Sequence, residues 1–319
     1  MPPLLPIGSS LRNRYRIVNA LSQTRFSNLY VAQDDHLTSR YWVIKEIGIY
    51  GMSPGDRSKM SQLFQAESYQ ISALEHVCIP KLIDYFCQSQ CLYIVREFIP
   101  GNDLASLIES RILPETEIIN IGLQLCDLCI YLQSKNFTAS LYTNLKLSNI
   151  VMRSDGHISI LDIGYLNINN IIRNEQELAQ EYVPPETFTG AFSSESKMLI
   201  YIIGSIIYHL FTGLNPSVST FNLPPIETIR QDICPASRAA AERALKNDPR
   251  DRFSSIGDLQ SSLTKAFQIS AKRSGHKNAM PTITDRNDGG SSSWLWIVIL
   301  LIVFLIGGAV FVLYQMYLK

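Results

Sequence analysis

The 319-residue sequence lacks a charge excess of either sign, since 28 Lys and Arg are matched by 28 Asp and Glu. A balanced chain carries no basic footprint for a polyanion, so nucleic acid is not an expected partner. Residues 1–11 are Pro-rich, with no basic stretch ahead of an apolar one, so no secretory leader is expected there. Cysteine is scarce, with six at positions 78, 87, 91, 126, 129 and 234. Without a leader these are expected to be reduced, buried thiols. Cys126 and Cys129 have CxxC spacing, and Cys87 and Cys91 flank a turn, but the two pairs fall in different elements rather than in a matched zinc-binding set.

Charge is also missing from residues 294–313. A run of about 20 such residues is the length that crosses a ~30 Å hydrocarbon core as a helix. Trp294, Trp296, Tyr314 and Tyr317 bracket it as interfacial aromatics do. Lys272, Arg273, Lys277 and Arg286 precede the run and only Lys319 follows it, so the N-terminal side is expected to be cytoplasmic. Residues 268–293 are polar, rich in Gly and Ser and aperiodic, the pattern of a flexible linker. The other long apolar stretch, 198–213, is interrupted by Gly204, Ser205 and His209 and reads as a buried helix.

Upstream, two strand-like runs at 14–21 and 29–32 flank SQTRFSN, and residues 41–45 form a third apolar strand ending in Lys45. After a Gly- and Pro-containing loop at 48–56, Leu63, Phe64, Glu67, Ile71 and Leu74 repeat at helical spacing within 60–75. Ile118, Ile121, Leu125, Leu128 and Leu132 mark a buried helical face over 115–134. Residues 139–164, ASLYTNLKLSNIVMRSDGHISILDIG, then place spaced polar residues between short β-rich runs.

Taken together, these stretches resemble the protein kinase family, in particular bacterial Ser/Thr kinases of the eukaryotic type. The resemblance covers residues 14–267 and implies an α+β, two-lobed protein kinase fold, extended by a single C-terminal transmembrane helix. By it, residues 1–13 are a lead, 14–98 the β-rich small lobe with helix C, and 99–267 the helical large lobe. The linker (268–293), the membrane helix (294–314) and a short tail (315–319) follow. Lys45 matches the strand lysine that holds ATP phosphates, and Glu67 its helix C partner. Asn149 and Asp162 match the two magnesium ligands, and Lys146 a phosphate-contacting lysine. The backbones of Glu97 and Ile99 would meet the adenine edge, with Arg96 at the back of the pocket. Glu186, in Val-Pro-Pro-Glu, and Arg252, in the final motif, would form a buried structural ion pair.

Other positions depart from the family pattern, and the departures concern chemistry. The catalytic triplet reads Tyr142-Thr143-Asn144, so the amide of Asn144 stands where the proton-accepting Asp belongs. The three loop glycines are replaced by Ser22, Thr24 and Ser27. Ser and Thr are absent between Gly164 and Glu186, where only Tyr165 and Tyr182 carry hydroxyls, and the usual orienting Thr is Ala179. Leu199 replaces the Asp that braces the catalytic loop. The resemblance thus implies a membrane-anchored pseudokinase, a regulatory or binding module at the cytoplasmic face of the cell membrane. Such a module would have cytoplasmic or membrane protein partners and retain possible sites for ATP and magnesium. The alternatives are a weakly active Ser/Thr kinase that transfers the ATP γ-phosphoryl group, and a nucleotide-free scaffold.

Overall fold

A computed structural model of the chain describes residues 3–37, 40–137, 145–161, 163–165, 182, 184–189, 193–218 and 223–273. Asn144, Thr143, Tyr142, Asp162, Ala179, most of the linker and the membrane segment 294–314 lie outside the described residues. Among the described residues no helix is long and apolar enough to cross a membrane.

The first part of the chain forms a six-stranded antiparallel sheet from β1 (Ser10–Leu11), β2 (Tyr15–Gln23), β3 (Ser27–Asp34), β4 (Tyr41–Gly48), β5 (Leu82–Gln88) and β6 (Cys91–Glu97), in the order β1-β2-β3-β4-β6-β5. Period-2 alternation assigns side chains to two faces. Tyr15, Ile17, Tyr30, Ala32, Trp42, Ile44, Tyr93 and Val95 are buried on one face, over which the partly buried Leu5 packs. On the other, Ile47, Leu92 and Ile94 pack against Met60, Phe64 and Ile71 of α1 (Pro54–Ser72). Helix α1 begins six residues before the expected start at Met60. Ser53 caps it by accepting from the Asp56 amide, and Pro54 fits the first turn because its missing N–H has no helical partner there.

The outer face buries two carboxylates. Glu46 accepts from the Tyr30 hydroxyl (2.8 Å), the Tyr93 hydroxyl (2.7 Å) and the Asn28 side-chain amide (2.9 Å). Burial, and the Glu46 carboxylate that its hydroxyl meets, push the Tyr30 hydroxyl up to about 12. Asp34 accepts from Arg14 Nη2 and Trp42 Nε1, both at 2.8 Å, and from the amides of His36 and Leu37. Burial alone would raise the Asp34 carboxyl, but the donors, Arg14 foremost, outweigh it and hold the group well below the ordinary carboxylate range. A depressed folded pKa makes the contribution complete above the unfolded value of ~3.9, with loss as pH falls below it. Asp34→Asn is therefore expected to cost about 1–3 kcal/mol at pH 7. Urea midpoints of wild type and variant should converge as pH drops below 4. A gap that stays constant into acid would refute this assignment.

Beyond β6 the chain becomes helical. A short sheet of β7 (Asn102–Asp103), β8 (Ile150–Met152) and β9 (Ile158–Ile160) lies beside α2 (Leu104–Ser110) and α3 (Glu115–Ser134). Among the described residues the further α-helices are α4 (Pro185–Thr189), α5 (Glu195–Thr212), α6 (Ile226–Ile229), α7 (Pro235–Ala244) and α8 (Ile256–Arg273). Helix α5 is buried along nearly its whole length and ends at Gly213, whose φ of +72° is the left-handed conformation that terminates helices. It packs on α3 and α7, and α8 closes over α3. Leu259, Leu263 and Ala266 fix α8 on this core, and the helix takes in the expected linker's first residues, 268–273. Five cysteines are buried, whereas Cys87 is exposed, contrary to expectation, because it lies near the end of β5 where the strand runs out toward its turn. Burial pushes the Cys129 thiol up to about 12 and Cys126 well above its ordinary value, so both are protonated packing residues.

Candidate active site

The β2–β3 hairpin ends in residues 24–26, and its tip is closed by its own side chains. Thr24 Oγ1 accepts from the amides of Ser27 (3.0 Å) and Phe26 (3.4 Å) and lies 3.0 Å from Ser27 Oγ. The Thr24 amide in turn donates to the Ser27 carbonyl at 2.8 Å. None of residues 22–27 has positive φ. A glycine-rich loop leaves its amides open to phosphate. Here two of them are taken by Thr24. Ser22 sits on β2 opposite Leu29, next to a register shift.

Lys45 is half-buried in the middle of β4, in register with Leu29 of β3 and Ile94 of β6. Alternation puts it on the side of Ile47, the face covered by α1. Glu67 projects from the buried stripe of α1 formed by Met60, Phe64, Ser68 and Ile71. The fold thus brings Lys45 and Glu67 into the same layer between sheet and helix. At the end of β6, the Glu97 amide donates to Lys81 O (3.0 Å), and Ile99 follows in the connection to the helical part.

On the helical side, Lys146 precedes a 3₁₀ turn at Leu147–Asn149 and accepts the Asn149 amide (2.9 Å). The Asn149 carbonyl accepts the Leu161 amide at 2.8 Å, tying the two backbone stretches that carry the predicted metal ligands. Asn144 and Asp162 lie outside the described residues. Lys146 and Asn149 are both half-buried and start the short β8–β9 hairpin.

Glu186 and Arg252 meet in a bidentate pair, with Nη1–Oε1 at 2.7 Å and Nη2–Oε2 at 2.6 Å, and both are almost fully buried. Arg252 also donates to the carbonyls of Lys246, Lys197 and Asn247 and lies over the Tyr201 ring. The two tyrosines of the segment following Gly164 are also buried. The Tyr165 hydroxyl lies 3.0 Å from Ser68 Oγ, and that of Tyr182 lies 2.8 Å from His209 Nδ1. His209 is lowered from its ordinary value by burial, which suits a neutral packed ring.

Arg96 was legible as the residue at the back of the pocket, but its partners were not. It is buried and donates to the Leu161 carbonyl (2.6 Å) and the Ile163 carbonyl (2.9 Å). Its burial excludes a solvent-facing placement. Backbone carbonyls carry no residue identity, so no sequence pattern marks them as the ligands of an arginine.

A β-sheet with one covering helix, joined by a strand end to a helical body with a buried Glu–Arg brace, defines a two-lobed, kinase-type fold. A family model described as protein kinase domain matches residues 15–266. The chain belongs to the protein kinase domain family. It is 26% identical over 273 residues to serine/threonine-protein kinase PknA of Nostoc sp., covering 79% of this chain and 47% of that protein. It is also 26% identical over 277 residues to serine/threonine-protein kinase C of Synechocystis sp., covering 81% of this chain and 50% of that one. The chain thus spans about half the length of these curated relatives. Among solved structures, the apo form of PpkA-294 superimposes with a TM-score of 0.68 at 20% identity, over 82% of this chain and 99% of that one. The Mycobacterium tuberculosis PknI kinase domain gives 0.61 at 20% identity, over 83% and 100%.

Proposed function

We propose that this kinase-family chain is a membrane-anchored pseudokinase, a regulatory or binding module rather than an efficient phosphotransferase. The observation that carries the reading is the hairpin tip, where Thr24 Oγ1 consumes amides that a phosphate cradle would leave open. The substitution of the general base by Asn144 points the same way, since an amide cannot take up a hydroxyl proton. The buried Tyr165 and Tyr182 hydroxyls and the lack of Ser and Thr between Gly164 and Glu186 remove the usual means of activation by loop phosphorylation. The uncharged run 294–313 would anchor the module with its kinase-like part at the cytoplasmic face of the cell membrane, where cytoplasmic or membrane proteins are its partners.

The residues fit ATP and magnesium in part. Lys45, Glu67, Lys146 and Asn149, with Asp162, would hold the phosphates and metal, whereas the tip at 24–27 does not suit phosphate. A weakly active Ser/Thr kinase is the second reading. Its supporting observation is the shared layer of Lys45 and Glu67, since phosphoryl transfer depends chiefly on positioning and electrostatics.

Thermal denaturation with ATP and magnesium titrated separately and together tests nucleotide binding. Ligand in hundredfold excess over Kd stabilises the folded state by ~2.7 kcal/mol. A saturable, magnesium-dependent rise in Tm is expected for a nucleotide-responsive module. No shift at millimolar concentrations would leave a nucleotide-free scaffold, and turnover on a protein substrate at ordinary kinase rates would defeat the pseudokinase reading.

A further inference from the structure

Leu161 and residues 163–165 are held from both sides. The Leu161 amide donates to the Asn149 carbonyl, while the Leu161 and Ile163 carbonyls accept from the two terminal nitrogens of Arg96. Ile163 is packed in the core of the helical part, whereas Tyr165 belongs to the cluster between sheet and α1. Between them Gly164 has a φ of +96°, and a Cβ there would collide with Ile71 of α1. Tyr165 also has positive φ (+58°), an uncommon conformation for a side-chain-bearing residue. Its ring stacks on Phe64 (centroids 5.6 Å apart), its hydroxyl is 3.0 Å from Ser68 Oγ, and the Arg96 guanidinium lies 5.7 Å from its centroid.

We propose that Arg96 is a positioning residue: its guanidinium, with Tyr165 wedged against Phe64 and Ser68, clamps Leu161 and residues 163–165 in one arrangement relative to α1 without any phosphorylation. The chemistry favours arginine. A planar fork presents two parallel donors, here to carbonyls two residues apart, and its face stacks on an aromatic ring, whereas a lysine ammonium is a point charge on a flexible stem. Charge-assisted bonds in a buried site are stronger than those between neutral groups. In the sequence, Asp162 falls between the two accepting residues. This inference deepens the proposed function by supplying a phosphate-free means of setting the site.

Hydrogen–deuterium exchange on the full chain, without nucleotide, tests the clamp. Arg96→Met keeps an unbranched side chain but no donors. Peptides covering 161–165 and 64–71 are expected to exchange at least tenfold faster than in wild type, with those of α3 and α5 unchanged. Arg96→Lys should restore part of the protection, which loss of packing alone would not predict. Equal exchange at 161–165 in wild type and Arg96→Met overturns the proposal. If Arg96→Met fails to fold, Tyr165→Phe, which removes one buried oxygen, decides the matter: local acceleration across 64–71 supports the clamp and unchanged exchange there refutes it. A missing MgATP melting shift would count against nucleotide binding alone, since no exchange measurement uses nucleotide.

Discussion

Asn144→Asp is expected to raise γ-phosphoryl transfer from MgATP to a generic Ser- and Thr-containing protein by ~10²–10⁴-fold over wild type, the usual contribution of a positioned general base. The neutral amide of Asn144 can hydrogen-bond a substrate hydroxyl but cannot accept its proton, whereas a carboxylate can do both. The gain has a ceiling, because the substitution leaves the Thr24-closed hairpin tip and Ala179 as they are. Steady transfer of radiolabelled phosphate by wild type, Asn144→Asp and Asn144→Ala settles the outcome. If the wild type is active and Asn144→Ala is not, Asn144 serves catalysis and the pseudokinase reading fails. Asn144→Asp indistinguishable from wild type would show that the missing base is not what limits the chemistry.

Glu186→Ala is expected to destabilise the protein by ~3–5 kcal/mol, the usual cost of leaving half of a buried ion pair without its partner. That is a large share of the ~5–15 kcal/mol that holds a domain folded. Arg252 would keep three backbone carbonyls and the Tyr201 ring, but its charge would lose both carboxylate oxygens. Burial raises the Glu186 carboxyl, and the Arg252 bonds outweigh it, so its folded pKa lies below the ordinary value. The pair therefore contributes fully above the unfolded carboxylate pKa and loses strength as pH falls through the folded one. Urea denaturation at pH 7 should show a lower midpoint at unchanged slope. The double replacement Glu186→Leu with Arg252→Met should recover much of the loss, because it removes both charges rather than one. A single variant as stable as wild type would mean that the pair contributes nothing to folding.

Local chemistry was legible in the residues themselves. Alternation in β3 and β4, the periodic face of α3 and the apolar α5 each follow from where side chains must point to leave water. The order of Lys45, Glu67, Asn149 and Asp162 carried the resemblance to the family, and Asn144 in place of the proton-accepting Asp marked the departure in its chemistry. Element boundaries were less legible. The start of α1 depended on the Ser53 cap and Pro54, and the end of α8 on contacts that continue past 267.

Tertiary structure alone decided what the polar side chains do once brought together. Glu46 gathers Tyr30, Tyr93 and Asn28 from neighbouring strands. Arg96 reaches carbonyls 65 and 67 residues away. Sequence spacing specifies contacts within a helix or strand because the backbone repeat fixes them. Contacts to distant backbone atoms have no such repeat. They form only when packing removes water and leaves each buried donor to find the nearest acceptor.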